Sequence, residues 1–237
     1  MSLSAEETLE RLKKGNEEYL RKRAYTGDVS AEICETTDSE GQNPYAVIIG
    51  CSDSRAIPEV IFNAGVGELF VIRVAGNVID DHQLGIIEYA ADHLHTKLVV
   101  VLGHTNCGAV AAALKHSRDG HIKYIVDDIR DAVGNEKAAD KACRLNVIHS
   151  VKMIERDLDI QKLESKEGLR IVGAVYDLKT GKVGFLDHNE WMVDRVLVDA
   201  LKNLSESTDW DIETCMDNMK IPKEQREAYK AEVARNI

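Results

Sequence analysis

Two short stretches of the chain carry side chains of the kind that hold metals. Cys51-Ser52-Asp53-Ser54-Arg55 follows the apolar run YAVIIG, and His104-Thr105-Asn106-Cys107-Gly108 follows LVVVLG. Thiolate sulfur and imidazole nitrogen are donors that zinc accepts in tetrahedral geometry, and a catalytic zinc keeps one of its four positions for water or substrate. His104 and Cys107, three residues apart, can converge on one ion from the mouth of a helix. Cys51 would arrive from the end of a neighbouring strand. Those three residues leave one position open. A closed structural site would want a fourth Cys or His nearby, and neither stretch supplies one.

Two thiolates leave a zinc ion less positive than three imidazoles do, so acidifying a bound water is harder. Asp53 and Arg55 can answer this. A carboxylate beside the metal can accept the hydrogen of bound water or hydroxide and turn its lone pair toward an electrophile. Arg55 can hold that carboxylate ionised and fixed through a bidentate pair. Alternatively, Asp53 itself takes the fourth metal position and closes the resting site. Taken singly, each motif has a plainer meaning: a Cys after a strand is usually a buried thiol, and His-x-x-Cys arises by chance. Five such residues interleaved at two strand ends point instead to a site. Cys34, Cys143 and Cys215 lack such company and read as structural or incidental thiols. His82, His95, His116, His121, His149 and His188 read as surface or capping residues.

Each motif directly follows a glycine that ends a short apolar run, and those runs must be the scaffold. Tyr45–Ile49 (YAVII), Leu69–Val74 (LFVIRV) and Leu98–Leu102 (LVVVL) are β-rich and nearly continuous, as strands buried on both faces are. Between the second and third, Leu84, Ile87, Ala91 and Leu94 mark one face of a helix over Gln83–Leu94. Strands alternating with helices predict βαβ units and a parallel sheet. In such sheets sites form beyond the carboxyl ends of strands, at a switch in strand order. Ala109–Lys115 and Ile122–Val133 read as helices, and a longer helix is predicted over roughly 136–159. Leu169–Tyr176 and Val183–Leu186, joined by DLKTGK, read as a hairpin that adds an antiparallel edge.

Ahead of this core, Ser4 with Glu7 fits a capping box, opening a helix with a loose apolar stripe of Leu9, Leu12, Tyr19 and Leu20. Residues 25–44 lack periodicity, end in Asn-Pro and read as loop. A long helix and a long loop before the core suggest an arm that packs on something else, a partner subunit being one candidate. The tail from Ser205 is charged and mostly helical. The expected organisation is a single α/β domain without repeats or linkers. Residues 1–44 form the N-terminal helical arm and loop, 45–190 a metal-binding core, and 191–237 the C-terminal helices. The core is a central mixed, mainly parallel β-sheet flanked by helices.

Composition narrows the class. Of 237 residues, 44% are apolar and 30% charged, ordinary for a globular protein and too apolar for disorder. The net charge of −11, without basic clusters, argues against nucleic acid as a partner. No run approaches the roughly 18 apolar residues of a membrane span. The N-terminus MSLSAEETLERLKKGNEEYL lacks the apolar stretch of a secretory signal. A cytoplasmic protein is expected. Five widely spaced cysteines argue against a disulfide framework.

These residues resemble the β-class carbonic anhydrases, whose metal motifs are C-x-D-x-R and H-x-x-C. Here they are Cys51/Asp53/Arg55 and His104/Cys107, and the likeness runs on through PEVIFNAGVGELFVIRVAGNVID, LGIIEYAADHL, VVVLGHTNCGAVAAAL and VGAVYDLKTGKVGFLD, over about residues 5–190. The resemblance implies a zinc lyase with one Zn2+ per subunit. Its reaction would be reversible hydration of carbon dioxide to bicarbonate and a proton, by a zinc-bound hydroxide that Asp53 and Arg55 orient. It also implies a homodimer whose N-terminal helices embrace the partner, often assembled into a larger homo-oligomer. By position, Gln42 matches an amide that donates to a carbon dioxide or bicarbonate oxygen. Phe70 and Tyr89 match apolar pocket walls, or are ordinary core aromatics, and Gly108 stands with the substrate-side positions. In some members the pair equivalent to Tyr89 and His93 is proposed as a proton relay; the alternative is an exposed helix histidine.

One departure carries information. Some bacterial members hold a regulatory bicarbonate in a pocket that includes a Trp three positions before the first Cys ligand, and here Ile48 stands there. Arg73 and Tyr176 match other parts of that pocket. Without the Trp the expected form is the accessible one, with Asp53 paired to Arg55. Two rival readings keep the site and change what it does. One is hydrolysis of carbon disulfide or carbonyl sulfide, the other a non-catalytic zinc store or thiol switch. The second leaves Asp53 and Arg55 without a role. No GxGxxG or P-loop supports nucleotide binding.

Overall fold

The structure, a computed structural model, describes residues 3–117, 119–187, 195–221 and 223–235. Two compact units divide the chain, Met1–Leu186 and Asp187–Ile237. In the first, five strands form one sheet: β1 (Ala46–Gly50), β2 (Leu69–Arg73), β3 (Leu98–His104), β4 (Arg170–Tyr176) and β5 (Val183–Phe185). Their spatial order is β2-β1-β3-β4-β5. The first four run parallel and β5 pairs antiparallel with β4, as the alternating pattern and the DLKTGK turn predict. From β1 the chain steps outward to β2 on one side and then to β3 on the other. The carboxyl ends of β1 and β3 therefore flank the place where strand order reverses, and Cys51 and His104 sit at those two ends. β1 and β3 are buried throughout, which is why their sequences show apolar runs rather than alternation.

Helices surround the sheet. They are α1 (Ala5–Lys22), α2 (Ala31–Glu40), α3 (Pro58–Ile61), α4 (Asp81–Leu94), α5 (Gly108–Leu114), α6 (Ile122–Val133), α7 (Ala139–Glu155) and α8 (Leu158–Glu167). The Ser4/Glu7 capping box is present on α1. α2 lies inside the stretch expected as loop. It begins with Ser30 capping the Ile33 amide but buries none of its residues, so it has no apolar stripe for periodicity to detect. The helix expected over 136–159 is two helices. α7 stops at Glu155, and Asp157 caps the start of α8 by accepting from the Asp159 and Ile160 amides.

In the N-terminal arm, α1 packs on its own chain. Leu12 is fully buried in the same cluster as Ile61 and Phe62, and a Cβ on Gly15 would be driven into the Phe62 carbonyl. Asn16, buried, donates to the Ile61 and Gly181 carbonyls at 3.1 and 3.0 Å and accepts from the Val183 amide at 3.0 Å. One side chain thus ties α1 to the end of α3 and to the β4–β5 turn.

The second unit contains α9 (Arg195–Ser207), α10 (Ile212–Asn218) and α11 (Arg226–Arg235). They close around their own small core of Val198, Leu201, Cys215, Met216, Ile221 and Tyr229.

Candidate metal centre

Cys51 leaves β1 directly after Gly50, His104 is the last residue of β3, and Cys107 is the N-cap of α5. Because β1 and β3 are hydrogen-bonded neighbours in parallel, their ends bring the two motifs side by side. The sulfur atoms of Cys51 and Cys107 lie 3.9 Å apart. A donor atom from each of Cys51, His104 and Cys107 falls within 4.8 Å of the others, and all three residues are buried. Two sulfurs each about 2.3 Å from one tetrahedral zinc would stand about 3.8 Å apart. The observed spacing matches that separation.

The imidazole is set for the same purpose. His104 Nδ1 is 2.9 Å from the Thr105 carbonyl, which can only accept, so Nδ1 carries the proton of the neutral ring. Nε2 is left with its lone pair, buried and without a hydrogen-bond partner. A buried orphan nitrogen is costly in a protein interior unless something else satisfies it, and a divalent cation among two sulfurs would do so. The residues present fit a zinc ion.

The two sulfurs lie close enough to share a proton. The contact with the Cys107 sulfur holds Cys51 well below the usual thiol range, against the opposing effect of burial. Cys107 is pushed up by the same contact and by burial. Two backbone amides also face the Cys51 sulfur, Gly76 at 3.3 Å and Asp53 at 3.4 Å. Burial works against the His104 cation, but the Cys51 sulfur and the Thr105 carbonyl outweigh it and raise His104 overall.

Asp53 and Arg55 form a fork. Arg55 Nε is 2.9 Å from Oδ1 and Nη2 is 2.7 Å from Oδ2, while the Arg55 amide donates to Oδ1 at 3.0 Å. This guanidinium holds the Asp53 carboxyl far below the ordinary carboxylate range despite partial burial. Asp53 Oδ2 lies 3.9 Å from His104 Nε2, so the carboxylate borders the metal-ligand cluster. Arg55 also reaches the Asn106 carbonyl at 3.3 Å, linking the first motif to the second.

Arg73 has a role that its sequence position alone did not reveal. It ends β2 and pairs with Gly50 in the sheet register. From there its Nε donates to the Cys51 carbonyl at 3.0 Å and its Nη2 to the Asp53 carbonyl at 2.6 Å. Arg73 clamps the loop that carries the first motif, and Ile48 is packed in the core.

The remaining sequence candidates are placed variously. Gly108, exposed, opens α5 beside Cys107 with empty space where a side chain would project. Phe70 and Tyr89 meet at a tilt across β2 and α4 with centroids 6.0 Å apart, and His93 meets Tyr89 edge-on at 5.1 Å. Tyr89 is 46% exposed, so this is a surface aromatic group rather than core. Gln42 is exposed and precedes β1, so the whole length of that strand separates it from Cys51 of the same chain.

With this geometry in view, relatives place the chain. A family model described as carbonic anhydrase matches residues 46–183. Carbonic anhydrase 2 of Mycobacterium tuberculosis is 36% identical over 188 residues, covering 75% of this chain and 90% of that protein. A carbonic anhydrase of Mycolicibacterium smegmatis is 35% identical over 162 residues, covering 63% and 78%. Among solved structures, a β-carbonic anhydrase of Aspergillus fumigatus superposes with a TM-score of 0.61 at 28% identity, covering 77% of this chain and 90% of that one. One of two tetrameric β-carbonic anhydrases from Sordaria macrospora gives 0.59 at 29% identity, covering 66% and 87%. Two spaced motifs, a parallel sheet that joins them and these likenesses lead to one conclusion: the chain belongs to the β-class carbonic anhydrases.

Proposed function

We propose that Cys51, His104 and Cys107 hold one zinc ion per subunit, and that the protein hydrates carbon dioxide reversibly to bicarbonate and a proton. The observation that carries this is the convergence of two sulfurs and an unpartnered, buried His104 Nε2 within one ion's reach. A zinc ion there supplies Lewis acidity, making water a nucleophile near neutral pH. Everything else in the reaction falls to side chains of the chain itself.

Asp53, ionised and gripped by Arg55, accepts the hydrogen of the attacking water and turns its lone pair toward the carbon of the substrate. Its fork with Arg55 favours the accessible form, in which Asp53 is not itself a metal ligand. Carbon dioxide is small, linear and uncharged, so it needs an apolar slot more than polar anchors. Phe70 and Tyr89 would wall that slot and Gln42 would donate to an oxygen. The distance of Gln42 from its own Cys51 along β1 supports a site completed by a second copy of the chain, in a homodimer or larger assembly. His93, edge-on to Tyr89, would pass the released proton to buffer. The described residues contain no helix long and apolar enough to cross a membrane, and we place the enzyme in the cytoplasm, with residues 45–190 as the working core.

Stopped-flow carbon dioxide hydration with metal analysis, on wild type and Cys107→Ser, tests the reading. Joint loss of zinc and activity in the variant is expected. Wild-type protein that is active without bound metal would overturn it.

A further inference from the structure

The site as described leaves unused a row of buried residues on α7. Cys143, Asn146, Val147 and Ser150 stand at i, i+3, i+4 and i+7, on one face of the helix, and all are buried. Asn146 and Ser150 are each 2% exposed. Buried amides and hydroxyls are costly unless they bond to something, and here they reach the backbone behind the metal ligands. Asn146 Nδ2 donates to the Gly76 carbonyl at 2.7 Å, and Ser150 Oγ to the Asn77 carbonyl at 2.9 Å.

The turn that Asn146 and Ser150 hold is an unusual one. Gly76 has φ 70° and Asn77 φ 46°, two consecutive left-handed residues. At φ 70° any side chain on Gly76 would be strained, and its Cβ would come 2.7 Å from Ile129 Cδ1, which would have to shift. A conformation of this kind persists where its surroundings over-determine it. Its outcome at the site is one hydrogen bond, the Gly76 N–H on the Cys51 sulfur.

We propose that Asn146, assisted by Ser150, is a positioning residue of the metal centre: it locks the Gly76–Asn77 turn so that the Gly76 N–H stays on Cys51. This deepens the zinc reading and rests on it. An N–H on a thiolate draws charge from the sulfur, so Cys51 donates less to the metal. A centre with two thiolates would keep its acidity through this bond.

The test uses Asn146→Ala and Ser150→Ala in the zinc-loaded and cobalt(II)-substituted protein, with Asn16→Ala as a control for general destabilisation. In chelator competition Asn146→Ala should bind zinc about 10- to 100-fold more weakly, because the lost positioning of Cys51 outweighs the stronger donation of its sulfur. Its sulfur-to-cobalt charge-transfer band should move to lower energy, because the sulfur has lost a hydrogen-bond donor. Ser150→Ala should move the band the same way by less, and it decides the matter if Asn146→Ala does not fold. Asn16→Ala should lower Tm and leave the band in place. Bands unmoved in both α7 variants, or moved equally by Asn16→Ala, overturn the role of Asn146 while leaving the zinc reading intact. Wild-type protein that takes up neither metal overturns both.

Discussion

Arg55 holds both carboxylate oxygens of Asp53, Nε on Oδ1 at 2.9 Å and Nη2 on Oδ2 at 2.7 Å, within one turn of chain. The pair fixes the direction and the charge of a carboxylate that borders the three metal-type ligands. Asp53→Asn keeps the shape and loses the charge, so zinc content should hold while kcat/KM falls about 100-fold. Arg55→Lys replaces a fork by a point charge and should cost about tenfold. Stopped-flow hydration alongside metal analysis checks both. Full activity in Asp53→Asn would remove the carboxylate from the mechanism.

Tyr45 offers a pH test remote from the metal. Burial, against the opposing pull of the Arg11 guanidinium 3.9 Å from its ring centroid, pushes its hydroxyl up to about 12. An unfolded chain releases that proton near 10, so its stabilising contribution is complete below about pH 10 and is lost between about 10 and 12. Over that interval wild type should lose up to about 2–3 kcal/mol that Tyr45→Phe does not lose. Urea unfolding of both proteins at pH 9 and pH 11 should already show about half of it, about 1.3 kcal/mol. Parallel losses would sink the assignment.

Gly15 inverts a familiar rule. In a helix interior Gly→Ala ordinarily stabilises by roughly 0.5–1 kcal/mol. On α1 the added methyl meets the Phe62 carbonyl, so Gly15→Ala should instead destabilise by about 1–3 kcal/mol. A rise in the urea midpoint would show that α1 does not sit on its own chain as described.

Asn16 is the polar counterpart of that contact. Asn16→Ala strands two carbonyls and the Val183 amide and should cost about 2–4 kcal/mol. The loss should appear equally in zinc-loaded and chelated protein, since none of the three partners is a metal ligand. A cost confined to the loaded form would contradict it.

Much of the site is legible in the sequence. Cys51, Asp53, Arg55, His104 and Cys107 lie in two short stretches, and the apolar runs before them identify strands whose ends must carry them. Composition and periodicity are local properties, and a strand buried on both faces writes itself into a handful of consecutive residues. α2 escaped because a helix with no buried face leaves no periodic mark. The break between α7 and α8 escaped because both helices continue an apolar pattern across it. Its only signal was Asp157, a residue that caps helices but also sits freely on surfaces.

By itself, the sequence determined which side chains could meet a metal and that parallel strands would deliver them. Only the tertiary structure decided what holds them there: Arg73 on the Cys51 and Asp53 carbonyls, Asn146 on the Gly76 carbonyl, α1 folded back onto Phe62. Those contacts join residues far apart along the chain through backbone atoms, which every residue possesses. A hydrogen bond to a carbonyl depends on where the chain passes rather than on which amino acid it passes through, so spacing along the chain leaves no trace of it.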